Sequence, residues 1–308
     1  VIGVVINPRA AGNRRRPGRA QRFREIVGQT GEVAATASVA ELEDALRRFR
    51  ERSVKVLAIC GGDGSIYHTL AKALEVWGQR AMPQVLLLKA GTINNIARNF
   101  VRPGRSAEAS LESTVAGLNA GRRPATRPST LIRVNGGLYG HIVGAGPAAR
   151  YLELYYRGRR PGPLRAVLLL LVLGMSWILR TALTRELMEP FEAEVECDGR
   201  RLGFTSFSIL LASTVEHIGL GVRPFYRAKA TGGAFHLLAG PATAGQLLGH
   251  LPRFMRGKPA RLASLYDSSA SRVIVRFASP QPLTINGELL DRVTRLELET
   301  GPRLELLA

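Results

Sequence analysis

The segment AICGGDGSIYHTL, Ala58–Leu70, limits the possible folds more than any other part of the chain. An apolar run from Val54 to Cys60 reads as a strand, and a helical pattern follows at once. Gly61, Gly62 and Gly64 stand at the junction with Asp63 among them. Glycine there costs backbone entropy and gives up packing. The corner therefore predicts that something approaches the backbone too closely for side chains. The same device recurs where QVLLLK runs into Gly91-Thr92.

Around these corners the chain alternates strand and helix signals. VIGVVIN (Val1 to Asn7) is a strand closed by Asn7-Pro8, and a basic loop, Arg9 to Arg19, follows it. AQRFREIVGQ is helix-like, and EVAAT (Glu32 to Thr36) is a short strand. In VAELEDALRRFRER, Leu42, Ala45, Leu46 and Phe49 fall on one helical face. VKVLAIC, IYHTLAKALEVWG, QVLLLKAGT and INNIARNF continue the series. This alternation predicts a parallel sheet covered by helices, an N-terminal α/β domain over residues 1–128.

The pattern changes after GRRPATRPST, Gly121 to Thr130. Strand-like runs then dominate residues 129–299, interrupted by two helical segments, about Pro147 to Tyr156 and Leu164 to Leu187. This half predicts an antiparallel β-sandwich domain with helices. The last strand, about 300–308, is expected to return to the first domain.

Composition narrows the partners. The formal net charge is +19, carried almost wholly by arginine, which favours polyanions such as nucleotide phosphates or an anionic membrane surface. Aromatics are 6% and no nucleic-acid-reading motif appears, so nucleic acid is not expected as a partner. Two distant cysteines and five scattered histidines make no metal spacing, and the cysteines suit a reducing compartment. No secretory signal is evident, which favours the cytoplasm, with the inner membrane face as a peripheral site. AVLLLLVLGMSWIL, Ala166 to Leu179, is shorter than the roughly 20 residues a spanning helix needs. It reads as a buried core helix, the alternative being a helix that dips into a membrane surface.

Ligands of open α/β sheets sit at the carboxyl ends of the strands. Amides at a glycine turn and at the following helix N-terminus suit phosphate oxygens. Ser65 and Thr92 add hydroxyls, and Asp63 suits metal-nucleotide binding, proton acceptance or helix capping. A Walker-type loop is absent, GAGPAA (Gly144 to Ala149) lies outside any βαβ unit, and there is no Gly-x-Ser-x-Gly elbow.

In order, NPRAAG (Asn7 to Gly12), GGDGS (Gly61 to Ser65), AGTINNIAR (Ala90 to Arg98) and the late NGE (Asn286 to Glu288) resemble the diacylglycerol kinase catalytic-domain family. That family includes bacterial lipid kinases and, more distantly, sphingosine and ceramide kinases. The resemblance implies nucleotide bound between an α/β domain and a β-sandwich, and ATP-dependent phosphorylation of a lipid hydroxyl with Mg2+ accompanying the ATP. It implies that Asn7, Gly12, Thr36, Gly61, Gly62, Asp63, Gly64, Ser65, Gly91, Thr92 and Asn94 bind nucleotide. Glu288 or Asp63 would accept the proton, with Asn286 and Arg98 lining the cleft.

Four departures bear on activity. Asn286 stands where the family usually has aspartate, and an amide is no base near neutral pH. Gly232 replaces an aspartate that helps bind a structural magnesium, so that site is expected to be absent or altered. Tyr67-His68 replaces Asn-Glu, and Asn95 replaces a common aspartate. The cleft should therefore be unusually positive, with Arg14, Arg15 and Arg19 available to phosphates. Two other readings follow: a pseudokinase that binds nucleotide or lipid without turnover, and a soluble-substrate kinase of NAD kinase type.

Overall fold

The computed structural model describes residues 1–91, 94–101, 104–157, 163–179, 181–218, 221–228 and 233–307. Thr92 and Gly232, both singled out above, lie outside them. The chain is mixed α/β and divides into two compact units, Val1–Ser129 with Pro302–Ala308, and Thr130–Gly301.

The first unit runs β1 (Ile2–Ile6), α1 (Ala11–Arg14), α2 (Arg19–Val27), β2 (Gly31–Ala35), α3 (Val39–Glu51), β3 (Val56–Gly61), α4 (Asp63–Trp77), β4 (Gln84–Lys89), α5 (Asn95–Phe100) and α6 (Ala107–Asn119). Its strands pair in parallel, with β1 flanked by β2 and β3, and β4 beside β3. Val56 through Cys60 have no exposed surface, as a central parallel strand covered on both faces requires. On one face Val4, Ala58 and Leu86 pack with Phe23 of α2 and Leu111 of α6. On the other, the ring of Phe49 from α3 lies where a Cβ on Gly3 would stand, 2.5 Å away, so that strand position admits only glycine. Helix α6 carries no strong helical stripe in the sequence and was not anticipated there.

The second unit contains β5 (Thr126–Val134, beginning in the first unit), β6 (Leu138–Gly140), β7 (Ile142–Ala145), α7 (Pro147–Tyr156), α8 (Pro163–Ile178) and α9 (Ala182–Leu187). It continues with β8 (Phe191–Cys197), β9 (Arg200–Arg201), β10 (Ser206–Phe207), β11 (Ile209–Ser213), β12 (Phe235–Gly240), α10 (Ala244–Gly249), α11 (Leu251–Met255), β13 (Tyr266–Ala270), β14 (Arg272–Ile285) and β15 (Glu288–Leu307). Its pairings are antiparallel: β13 with β12, β12 with β11, β11 with β7, and β7 with β14. β14 pairs with β8 along its first half and with β15, the β14–β15 register slipping between Arg276 and Gln281. β15 spans both units, and its Leu306 pairs in parallel with Val85 of β4.

Two expectations are corrected. The single helix over Leu164 to Leu187 is two helices. Ser176 Oγ bonds the hydroxyls of Thr181 and Thr184, and it accepts the Thr184 amide at 3.1 Å, closing the turn between them. Nor is the apolar block a buried core helix: Leu168, Leu171, Val172, Met175, Trp177 and Leu179 are all exposed. Among the described residues, α7 and α9 pack against α8. No described helix is long and apolar enough to cross a membrane.

Candidate functional site

The ends of β1, β3 and β4 bring three loops together. After β3, a Cβ on Gly61 would stand 2.3 Å from the Cβ of Ser65, so the chain turns into α4 only with glycine there. A Cβ on Gly91 would lie 2.4 Å from the Cα of Gly62. The two glycine corners therefore touch backbone to backbone. The first loop closes on the same spot: the Gly12 amide donates to Ala90 O at 2.8 Å, and a Cβ on Gly12 would stand 2.7 Å from that oxygen.

Side chains lock this arrangement. Asn7 Nδ2 donates to Ser65 Oγ at 2.8 Å, joining the first loop to the second corner. Its Oδ1 accepts the Arg9 amide at 2.8 Å, an Asx turn. Asn94 adopts the left-handed region, φ 56°. Its amide bonds both the nitrogen and the carbonyl of Gly91, each at 2.8 Å. Thr36, buried at the end of β2, gives its amide to Ile6 O.

Asp63 opens α4, and its carboxylate accepts the amides of Asn95 and Ile96, each at 2.9 Å. Those are the first amides of α5, so Asp63 caps that helix across a gap in sequence. Its oxygens therefore brace the second corner against the helix after the first residues of the Gly91 loop. The N-terminus of the 15-residue α4 presents Gly64 and Ser65, where helix amides lack intrahelical partners and the dipole favours an anion.

A buried network beneath the first loop was not anticipated in the sequence. Asn13 Nδ2 donates to Asn7 O at 2.7 Å and to Cys60 O at 3.2 Å. Asn13 Oδ1 accepts from Arg19 Nη1 at 2.8 Å, and Arg19 Nε pairs with Glu108 at 2.8 Å. Burial would raise the Glu108 carboxyl, but its hydrogen bonds to backbone, Arg19 and Arg16 outweigh this and hold it below its ordinary value. Burial pushes the Cys60 thiol up to about 12, so it stays protonated and inert. Arg19 is thus buried and committed, and the expectation that it faces phosphates is corrected. Arg14 and Arg15 are exposed and have no carboxylate partner among the described residues. Lys89, at the charged end of β4, is a cation that the sequence reading missed. Burial and nearby Arg98 lower its pKa.

The late acidic motif belongs to the second unit. Asn286 and Gly287 have φ 53° and 90° and join β14 to β15 as a two-residue hairpin, with Ile285 opposite Glu288. Asn286 is buried, and its Oδ1 accepts the amides of His141 and Ile142 at 2.8 and 3.0 Å. That oxygen holds the start of β7. Glu288 is half-buried and makes no ion pair among the described residues. Its charge, after burial, raises the Tyr156 phenol.

Among the described residues no three His, Cys, Asp or Glu side chains gather closely enough to hold a metal ion.

Residues 2–121 match the family model of the diacylglycerol kinase catalytic domain. No curated protein matches the sequence significantly. Among solved structures, a diacylglycerol kinase from Bacillus anthracis str. Sterne is 14% identical with a TM-score of 0.65, covering 99% of this chain and 96% of its own. A second structure from that organism, named only provisionally as such an enzyme, has the same identity and coverage and a TM-score of 0.68. Residues 2–121 thus carry the diacylglycerol kinase catalytic-domain signature, on a chain whose fold is that of bacterial diacylglycerol kinase structures.

Proposed function

We propose that this chain transfers the γ-phosphoryl group of ATP to the hydroxyl of a lipid alcohol. The observation that carries the reading is the backbone contact of Gly62 with Gly91. It brings two side-chain-free corners and the α4 N-terminus together at the ends of parallel strands, where backbone amides suit phosphate oxygens. In this reading Gly12, Gly61 to Ser65, Gly91, Thr92 and Asn94 surround the phosphates, while Asn7 and Thr36 shape the walls. Arg14, Arg15, Lys89 and Arg98 supply positive charge where the transferred group passes through its loose transition state. ATP enters with Mg2+ bound to its own phosphates, which is how magnesium usually reaches kinase sites.

Glu288 accepts the hydroxyl proton as oxygen attacks phosphorus. Asp63 is a positioning residue, because both its oxygens are engaged by α5. Asn286 needs no acid–base role, since its oxygen is spent on two backbone amides. The acceptor is an alcohol on an apolar stem, of the diacylglycerol or sphingoid kind, presented at an anionic membrane surface.

Incubation with labelled ATP and a panel of lipid alcohols, with NAD as a soluble control, tests the proposal. Phospholipid product that falls at least a hundredfold in Glu288→Gln, with ATP affinity kept, is the expected result. ATP binding without product in any arm would establish the pseudokinase. That second reading is favoured by the engagement of both Asp63 and Asn286 in backbone hydrogen bonds. Labelled NAD product with none from lipid would make this a soluble-substrate kinase.

A further inference from the structure

Leu168, Leu171, Val172, Met175 and Leu179 recur at intervals of three, one, three and four, so they form one stripe along α8 and its C-terminal turn. Each is between 45% and 66% exposed. One flank of the helix is docked on protein: Ser176 is buried and bonded to α9, and Arg165 donates to Leu154 O and Arg157 O at the end of α7. The helix is thus docked by its polar contacts and shows its leucines outward, the reverse of an ordinary surface helix. A contiguous exposed apolar face of this kind marks an interaction surface.

Charge selects the occupant. From 157 to 185 the sequence holds six arginines and no acidic residue, on a chain of net charge +19. Arg157, which also pairs with Glu186 at 3.8 Å, and Arg185 are exposed near the two ends of the helix. A second copy would bring arginines against arginines, whereas an anionic bilayer complements them. From Leu168 to Leu179 the stripe is roughly 17 Å long at 1.5 Å per residue, and a helix this short lies along a membrane rather than across it.

We infer that α8 lies in the plane of an anionic bilayer surface. Leu168, Leu171, Val172, Met175 and Leu179 enter the acyl region, and the flanking arginines meet headgroup phosphates. The inference deepens the lipid-kinase reading by assigning the element that brings the chain to its acceptor, and it does not depend on phosphoryl transfer.

The test uses the full chain and vesicles of phosphatidylglycerol with phosphatidylcholine. Leu168→Trp, on the stripe, reports insertion in a Trp77→Phe, Trp177→Phe background, since these are the two native tryptophans. Co-sedimentation that weakens as salt rises, with a blue shift of emission from the tryptophan at 168, is expected. The double variant Leu171→Glu, Met175→Glu should bind vesicles at least tenfold more weakly while its thermal midpoint is kept. Equal binding by that variant, or no emission shift in the Leu168→Trp reporter, overturns the assignment. So does a dimer by light scattering that the variant dissolves in the absence of vesicle binding. A chain that binds vesicles through α8 but phosphorylates no lipid would overturn the kinase reading alone. Lipid turnover without α8-dependent binding would overturn this inference alone.

Discussion

Strand β3 and helix α8 are both runs of aliphatic residues, and they meet opposite fates. Val56 to Cys60 of β3 lose all their solvent-exposed surface, while the leucines along one side of α8 keep about half of theirs. The difference is not in hydropathy but in what the rest of the chain supplies to cover them. β3 sits between β1 and β4 and beneath helices on two faces. Helix α8 packs against α7 and α9 and leaves its leucine stripe uncovered. Apolar sequence therefore states a demand for burial, and topology decides whether the protein itself meets it.

Mutations can break that contrast, and the largest effect belongs to the strand. Ile59→Ala should cost about 2–5 kcal/mol by chemical denaturation, because the cavity lies where neighbours cannot collapse. In the second unit, buried His141 is held neutral, and burial lowers its pKa to about 4. On unfolding it regains an ordinary value near 6.5, so between these limits the unfolded chain binds the extra proton. Its contribution is present above about 6.5 and is lost as pH falls toward 4, on the order of 3 kcal/mol in all. Denaturation midpoints at pH 7 and 4.5 check this, and His141→Gln should flatten the slope.

Gly91→Ala should cost about 1–3 kcal/mol, since its Cβ meets the Gly62 backbone rather than a movable side chain. If the corners bind phosphates, ATP affinity should fall with it, measurable by calorimetry. Leu171→Ala on α8 should change stability by less than about 0.5 kcal/mol, as an exposed side chain has little packing to lose. A cost near that of Ile59→Ala would mean that the two apolar runs are covered alike.

The elements of the first unit were legible because its strands and helices have different hydrophobic periods, and glycines mark the strand-to-helix corners. The exposure of α8 was not, because hydropathy carries no record of neighbours. Nor was the Asn13–Arg19–Glu108 network, whose partners Arg19 and Glu108 lie far apart in sequence. Asp63 was legible as a cap or a reactive carboxylate, but the helix it caps is α5, a distant one that the residue's own position does not indicate. Asn286 read as a lost acid. In the fold its amide oxygen pins the start of β7, a role invisible without the third strand. Helices α10 and α11 escaped because each is little more than one turn.

The passage of β15 from one unit to the other has a consequence for biosynthesis. β4 leaves the ribosome early, yet Leu306, which pairs with Val85 on its edge, is translated after the whole second unit. Until then the nascent sheet carries an open, strongly aliphatic border, the kind that recruits foreign strands. Synthesis of the residues around 306, rather than completion of the first hundred, is the moment at which that border is sealed.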